Sequence, residues 1–290
     1  MGRENYRSLY TDLTKVKDQA GVQESATTYD DALWKLMLAV SEHVEAICGR
    51  SFSVITTTKY FDPVNPTEIE VPDLIAVTTL KDDANQDLTF ENTWATTDYW
   101  LHPFNAEPTK HWGRAYTKIR LRPQGTKTTF PLGERTIEIV GKWGYREFTE
   151  ASGSLVTDAG GISATVVTVN VTAGTDFAIG QTILVESEQM LVTNIAANAL
   201  TVVRALNGTT GATHALNTAI SIIRWPAPVE RAVTITVARI YARAPFFEPF
   251  YVDVNLDTDV MLLLDAYRAE STRGASPPLA PQTAPPGASP

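Results

Sequence analysis

The sequence predicts an α+β fold in which a helical core, formed by N-terminal helices and two C-terminal helices, carries β-hairpins and an inserted small antiparallel β-sandwich or barrel domain. Apolar residues recur at three- and four-residue steps over residues 30–48 and in two segments after residue 226, which predicts the helices. Residues 151–223 contain short β-prone runs separated by turn residues, which predicts the insertion. The expected domains are a discontinuous core over 1–150 and 224–274, an all-β domain over 151–223 and a proline-rich flexible tail over 275–290.

Composition and charge narrow the function classes. The 290-residue chain is 43% apolar, which suffices for a buried core, and its single cysteine, Cys48, excludes a disulfide framework. A net charge of -9 argues against a protein whose main function is to bind nucleic-acid phosphates. An acidic surface is nevertheless compatible with DNA that passes the protein without binding to it. Because the N-terminal stretch is charged and no long apolar run occurs, we expect neither a signal peptide nor a membrane-spanning helix. The single cysteine fits synthesis in a reducing cytoplasm.

The first helical pattern covers residues 30–48, where the apolar positions form one stripe. Thr28 or Asp30 is the expected N-cap, and Gly49 is the expected C-terminal stop. A shorter helix precedes this one and ends near Gly21. The sequence therefore predicts a helical pair at the start of the core.

Strands and turns dominate residues 52–139, and prolines punctuate the β-rich runs, so we expect hairpins there. The segment "DANQD", residues 83–87, imitates the start of an EF-hand loop. The match fails because Leu88 stands where the sharp turn needs glycine and Trp94 stands where a bidentate glutamate is needed. A polar hairpin tip is the favoured interpretation.

The predicted all-β block contains "VVRALNGTTGATHALNTAI", residues 202–220, which raises the question of a phosphate or metal loop. The stretch lacks the lysine and the following helix of a phosphate loop, and its Asn-Gly pair is a tight-turn signal. We expect His214 to have no partner ligands and the acids Glu186 and Glu188 to lie in a solvated turn. The stretch is thus interpreted as a connection between strands.

Two helices are predicted at the C-terminal end of the core. Pro228 suits the first turn of a helix over 228–243, which carries arginines on one face. In the second helix Asp257 or Thr258 is the expected cap, and Gly274 is the expected stop. The remaining sixteen residues are rich in proline and small side chains, so we expect them to be disordered when free or extended when bound.

No pattern of catalytic residues is convincing. The sequence has no Gly-x-Ser-x-Gly elbow, Walker loop or dinucleotide fingerprint, and we expect no cofactor and no metal site. The four histidines are scattered along the chain, and His43 is expected on the polar face of its helix. An aromatic loop between His102 and His111 leaves an enzyme as an open alternative, with plain packing as the simpler interpretation.

A family resemblance appears when residues 151–223 are set aside. The remaining motifs are a helix ending in "EAICGRSF", strands leading to "YWLHPFN", then "IEIVGKWGY", "PAPVERAVTITVARIYAR" and a final "VMLLLDAYR". In this order they resemble the phage head-tail connector, or adaptor, family, in which a Pro-led helix follows the Trp-Gly-Tyr strand almost at once. Here about eighty residues separate those two motifs, and the block between them resembles a small β module of phage structural proteins.

The resemblance implies a non-enzymatic virion protein, made in the host cytoplasm and located at the head-tail interface. Adaptor subunits form a dodecameric ring beneath the portal protein, extend the DNA channel and dock the tail or the next head-completion protein. DNA would pass without sequence-specific binding, no membrane would be involved, and the β module would project outward. The alternative is a receptor- or carbohydrate-binding module on a tail or capsid surface, carried by the β domain and anchored by the helices.

Closed rings need two different matching faces on each subunit. The arginines of the 228–243 helix and the aspartates of 253–265 are candidates for such a pair, and a solvated helix face is the other interpretation. The candidate residues of a subunit or portal interface are Arg50, Arg231, Arg239, Arg243, Asp253, Asp257, Asp259, Tyr267, Pro277, Pro278 and Pro281.

Overall fold

The computed structural model describes residues 7–243 and 254–269. Within these residues the chain forms two six-stranded antiparallel sheets and four α-helices. The helices are α1 (Leu13–Ala20), α2 (Asp30–Cys48), α3 (Ala227–Arg243) and α4 (Val254–Asp265). The first sheet contains β1 (Ile55–Phe61), β2 (Glu68–Asp82), β3 (Asn92–Thr93), β4 (Tyr99–His102), β5 (Tyr116–Leu121) and β6 (Ile137–Trp143). The second contains β7 (Thr149–Leu155), β8 (Thr168–Asn170), β9 (Thr182–Val185), β10 (Glu188–Ala196), β11 (Ala199–Val203) and β12 (Ala219–Ile223).

The predicted fold class, a helical core with β-hairpins and an inserted β domain, is wrong, because the chain is mainly β. The four helices are short, and the two sheets form the bulk of the described structure. The helical periodicity is a local signal and is strong even in short helices. Pairing between strands far apart in sequence leaves no such local signal, so the extent of the sheets was underestimated.

The first sheet has the strand order β1-β6-β2-β5-β4, with β3 paired to β2. In β6 the buried residues Ile137, Ile139 and Trp143 alternate with half-buried ones, as expected for a strand with one face on a core. Gly141 lies among them because β2 approaches so closely that a Cβ here would stand 2.4 Å from the Ala76 carbonyl oxygen. β6 therefore lies between β1 and β2 and pairs with both strands.

The second sheet has the order β7-β12-β9-β10-β11-β8, and its central strand β10 is buried on both faces. Met190 and Val192 belong to a core made by strands of this sheet and the loops that cover it. Leu191 points the other way and belongs to the core that contains the helices, together with Leu206 and Ile223. The sheet thus divides two apolar cores and contributes to both.

The second sheet also contacts the start of the first. Gln189 Nε2 donates a hydrogen bond to the Val54 carbonyl oxygen at 2.8 Å, and Asn207 Nδ2 donates to Ser8 Oγ at 2.8 Å. Strands from residues 151–223 therefore lie against the helices and the first sheet, and the direction in which this block projects from a ring stays a prediction.

The predicted helix over 30–48 is confirmed as α2, and Gly49 ends it in the left-handed conformation with φ of 62°. The expected cap is wrong, because Tyr29 occupies the N-cap position and makes no side-chain capping hydrogen bond. The shorter helix is confirmed as α1, which Gly21 ends in the same way.

The helix predicted to begin with Pro228 is confirmed as α3, which starts one residue earlier, at Ala227. The bounds of the last helix differ from the prediction. Because α4 begins at Val254, Asp257 and Thr258 lie inside it instead of capping it, and it ends at Asp265, well before Gly274.

Candidate functional site

A cleft of ≈ 880 Å³ lies where the turn after α2 meets β1, β2, β6 and the residues that follow α4. We call it the basic cleft, because five cationic side chains and two carboxylates are among its lining residues. These are Arg50, Lys59, Arg114, Lys118 and Arg268, with Glu70 and Asp73. The cleft thus has three more positive than negative charges in a chain whose net charge is -9.

The lining residue Tyr145 belongs to an aromatic cluster beside the basic cleft. The Tyr145 ring lies 5.8 Å from the Phe52 ring and 5.4 Å from the Tyr267 ring, and the Arg50 guanidinium stands 5.2 Å above the centre of the Tyr145 ring. The backbone N–H of Ala269 donates to the carbonyl oxygen of the last residue of α2 at 2.7 Å. Three segments that are far apart in sequence therefore meet here.

The cleft contains a charge pair with imperfect geometry. Arg50 Nε lies 3.5 Å from Asp73 Oδ2, and neither atom has a hydrogen-bond partner among the described residues. Burial raises the pKa of Asp73, although the charges of Arg50 and Lys59 oppose the rise. Burial also lowers the pKa of Lys59. Both shifts indicate charged groups that are poorly compensated inside the cleft.

Two further arginines of the cleft have no carboxylate partner in the described part of the chain. Arg268 is 8% exposed, and its Nε is buried without a hydrogen-bond partner among those residues. Arg114 is exposed and makes no ion pair with them. Guanidinium groups present several N–H donors in a planar fork that fits the oxygens of a carboxylate or a phosphate. The arrangement is suited to binding an anionic group.

The structure brings together only some of the predicted interface residues. Arg50 lines the basic cleft and lies over the Tyr145 ring, whereas Tyr267 packs against Tyr145 without lining the cleft. Arg239 and Asp259 pair with each other within the chain, with N–O distances of 2.9 and 2.7 Å. Because α3 and α4 are held together by this pair, its charges are already partly satisfied inside one subunit.

The other predicted interface residues are scattered. Arg231 Nη1 donates to Gln19 Oε1 at 2.5 Å, and Arg243 is half-buried at the end of α3. The structure describes only the backbone of Asp257. Asp253, Pro277, Pro278 and Pro281 lie outside the described residues.

A buried charged cluster in the second sheet was missed by the sequence reasoning. The side chains of His214 and Glu188 are fully buried, and His214 contacts Glu186 through Nδ1 at 2.8 Å and Glu188 through Nε2 at 2.9 Å. Arg204 Nε and Nη2 each donate to Glu188 at 2.7 Å. The expectations that His214 lacks partners and that Glu188 is solvated are therefore wrong, whereas Glu186 is 60% exposed.

The hydrogen bonds to Glu188 control its charge. Burial by itself raises the pKa of Glu188, but donors from Arg204, from the Ala212 backbone and from His214 outweigh it and lower the pKa to about 2. The ionised carboxylate thereby fixes the loop between β11 and β12 onto the sheet. One signal was available in the sequence, because Arg204 is the only Lys or Arg in residues 151–223.

A second cleft, of ≈ 590 Å³, is lined by aromatic and basic residues that include Trp100, His102, Phe104 and Arg122. His102 Nε2 and Arg122 Nε are buried there without a hydrogen-bond partner in the described part of the chain. His111 packs against the rings of Trp112 and Phe148 and does not line this cleft. The two histidines of the aromatic loop are thus not brought together in it.

The EF-hand-like segment forms the turn after β2. Asp83 accepts hydrogen bonds from the backbone N–H groups of Gln86 and Leu88 at 2.7 and 2.8 Å, so its carboxylate closes the turn. Among residues 7–243 and 254–269, no group of three or more His, Cys, Asp or Glu side chains is arranged to hold a metal ion. Likewise, no helix within those ranges has the length and apolar character needed to cross a membrane.

Comparisons with family models, with curated proteins and with solved structures give no match to this chain.

Proposed function

We propose that the protein is a structural virion protein, the subunit of a head-to-tail adaptor ring that lies under the portal, extends the DNA channel and docks the tail. Its partners are further copies of itself in a dodecameric ring, the portal protein, and the tail or the next head-completion protein. DNA passes through the ring without sequence-specific binding. The protein acts by assembly and not by catalysis, and it is made in the host cytoplasm before it enters the virion.

The observation that carries this proposal is the meeting of the motifs on which the family resemblance depends. The turn after α2 contributes Arg50 and Phe52, the end of β6 contributes Tyr145, and the final motif contributes Tyr267. These residues contact one another although they span more than two hundred positions of the chain. The meeting of these motif residues in one aromatic cluster supports the family resemblance.

The charge distribution also supports a ring through which DNA slides. The net charge of -9 disfavours tight binding of phosphates by most of the surface. The lining of the basic cleft, in contrast, has more cationic than anionic side chains, and these are available to a partner subunit. In such a ring the basic cleft contacts a neighbouring subunit, and the acidic surface faces the DNA.

The alternative, receptor or carbohydrate binding by residues 151–223, has less support. Both clefts described above are lined by residues outside this segment. The segment contains one residue of the Phe, Tyr and Trp class, Phe177, and that side chain is buried. Ligand sites usually rely on exposed aromatic groups for contact area.

Assembly of the purified full chain tests the proposal. Negative-stain micrographs and size-exclusion chromatography should show closed rings, either for the chain alone or as a collar on purified portal rings. A matched sample of portal without the chain gives the control image. A protein that neither oligomerises nor binds portal over a wide concentration range would contradict the proposed function.

A further inference from the structure

The basic cleft and an acidic hairpin tip lie at opposite ends of the paired strands β2 and β6 in the first sheet. Trp143 of β6 pairs with Leu74 at the end that borders the cleft, and Ile137 pairs with Asp82 at the other end. Eight residues of β2 separate these pairings, which corresponds to roughly 26 Å along an extended strand. The two features therefore face in different directions on one subunit.

The tip is the turn between β2 and β3, and its exposed carboxylates are Asp87 and Glu91, with Glu134 on the neighbouring turn. The two turns touch, because Gln86 Nε2 donates to the Leu132 carbonyl oxygen at 3.3 Å. Leu88 is 63% exposed at the apex, so the tip presents an apolar side chain between acids. Arg135 is the exposed cation nearby, and its guanidinium lies over the Tyr60 ring at 4.4 Å.

The cleft has the opposite character. Arg268 is nine-tenths buried and its Nε is unpartnered among the described residues, while Arg114 is exposed at the rim. A buried guanidinium without a carboxylate is costly, and an incoming carboxylate would supply the missing acceptor. The lining rings of Trp143 and Tyr145 offer apolar contact for a side chain such as Leu88.

We propose that the basic cleft binds the acidic tip of a second copy of this chain, so that the carboxylates of Asp87 and Glu91 meet the guanidinium groups of Arg114 and Arg268. This inference rests on the proposed function and names the contact that builds the ring. Because the cleft and the tip are different surfaces, the contact is head to tail, and its repetition either closes a ring or extends a filament. Opposite charges at the two ends set the direction in which subunits add.

Sedimentation velocity of the full chain tests the contact. Wild-type association should weaken as sodium chloride is raised to about 0.5 M, since exposed charges are screened at that ionic strength. Arg114→Glu, and separately the double variant Asp87→Lys with Glu91→Lys, should each weaken self-association about tenfold or more. Glu42→Lys is the matched control, because it changes an exposed acid on α2, away from both surfaces, and should associate like wild type.

A mixing experiment separates this contact from general charge effects. The tip variant retains an intact cleft, and Arg114→Glu retains an intact tip, so an equimolar mixture should associate more strongly than either variant alone. Circular dichroism of each variant checks that it is folded. Variants that associate like wild type, or a mixture that remains monomeric, would overturn the proposed contact.

The outcomes also distinguish this inference from the proposed function. Wild-type rings that are insensitive to the cleft and tip substitutions would overturn the contact and leave the ring in place. Wild-type protein that neither self-associates nor binds portal would overturn both. Association that appears only in a chain ending at Ala269 would assign the cleft to the C-terminal segment of the same chain and overturn the contact with a second copy.

Discussion

Arg204 holds the fully buried carboxylate of Glu188 through two hydrogen bonds of 2.7 Å, one from Nε and one from Nη2. The remaining donors of the guanidinium go to backbone carbonyls, including Ala212 O at 2.7 Å and Ser163 O at 2.8 Å. One arginine therefore connects β10 to two loops of the second sheet. The stability of the second sheet therefore depends on this ion pair.

Substitution of Glu188 by glutamine should strongly destabilise the protein. The amide removes the negative charge, which leaves the Arg204 guanidinium buried without its counter-ion. Breaking a buried ion pair in this way costs about 3 kcal/mol or more in the free energy of unfolding. Urea unfolding followed by circular dichroism measures the change. Glu186→Gln is the control, and its effect should be below about 1 kcal/mol because that side chain is 60% exposed; equal losses for the two variants would contradict the prediction.

The same carboxylate predicts a loss of stability in acid. The pKa of Glu188 is lowered from 4.5 to about 2 in the folded chain, so its contribution is fully present above pH 4.5 and is lost as the pH falls toward 2. Over that window the wild-type free energy of unfolding should fall by about 3 kcal/mol from this group. Urea titrations at several pH values measure the slope. Glu188→Gln lacks the titrating group and should show a shallower slope; parallel curves would count against this assignment.

Gly208→Ala should destabilise the contact between the second sheet and β1. Gly208 has φ of 79°, and a Cβ at this position would stand 2.3 Å from the Thr56 carbonyl oxygen. Gly153 is a matched control with φ of 84° and no atom within 4 Å of its Cβ position. We expect a loss of about 1 kcal/mol for Gly153→Ala, from backbone strain alone, and about 3 kcal/mol for Gly208→Ala. Thermal and urea unfolding measure the loss of stability of the two variants. A similar loss for both would contradict the prediction, because it would show that the chain moves away from Thr56 at little cost.

Deletion of residues 151–223 should unfold the remaining chain. The deletion removes Leu191, Leu206 and Ile223 from the core that contains the helices, so Val229 and Val233 lose apolar neighbours. We expect loss of the near-ultraviolet circular dichroism signal and binding of a hydrophobic dye. A shortened chain that unfolds cooperatively, as the full chain does, would refute this dependence.

The helices were the part of the fold that local sequence patterns could predict. The apolar stripe of α2 and its Gly49 terminator depend on neighbours within one helix, so periodicity finds them. The N-cap was mistaken because Tyr29 takes this position without a capping side chain. The sheet order could not be predicted, since β6 pairs with β1 and β2, which are about sixty to eighty residues away.

The candidate site was predicted in part. Of the predicted interface residues Arg50 lines the basic cleft, and Tyr267 packs against its lining residue Tyr145. Arg114 and Arg268 were not predicted, because they lie far apart in sequence and only folding brings them to one cleft. The His214 cluster was missed for the same reason, as its three main members lie on separate elements.

The alternation of Leu191 and Val192 along β10 has a mechanical consequence. Adjacent side chains of one strand are embedded in two different cores, so the strand cannot shift without disturbing both. β10 thus couples the core of the second sheet mechanically to the core that contains the helices, so a displacement of either core strains the other.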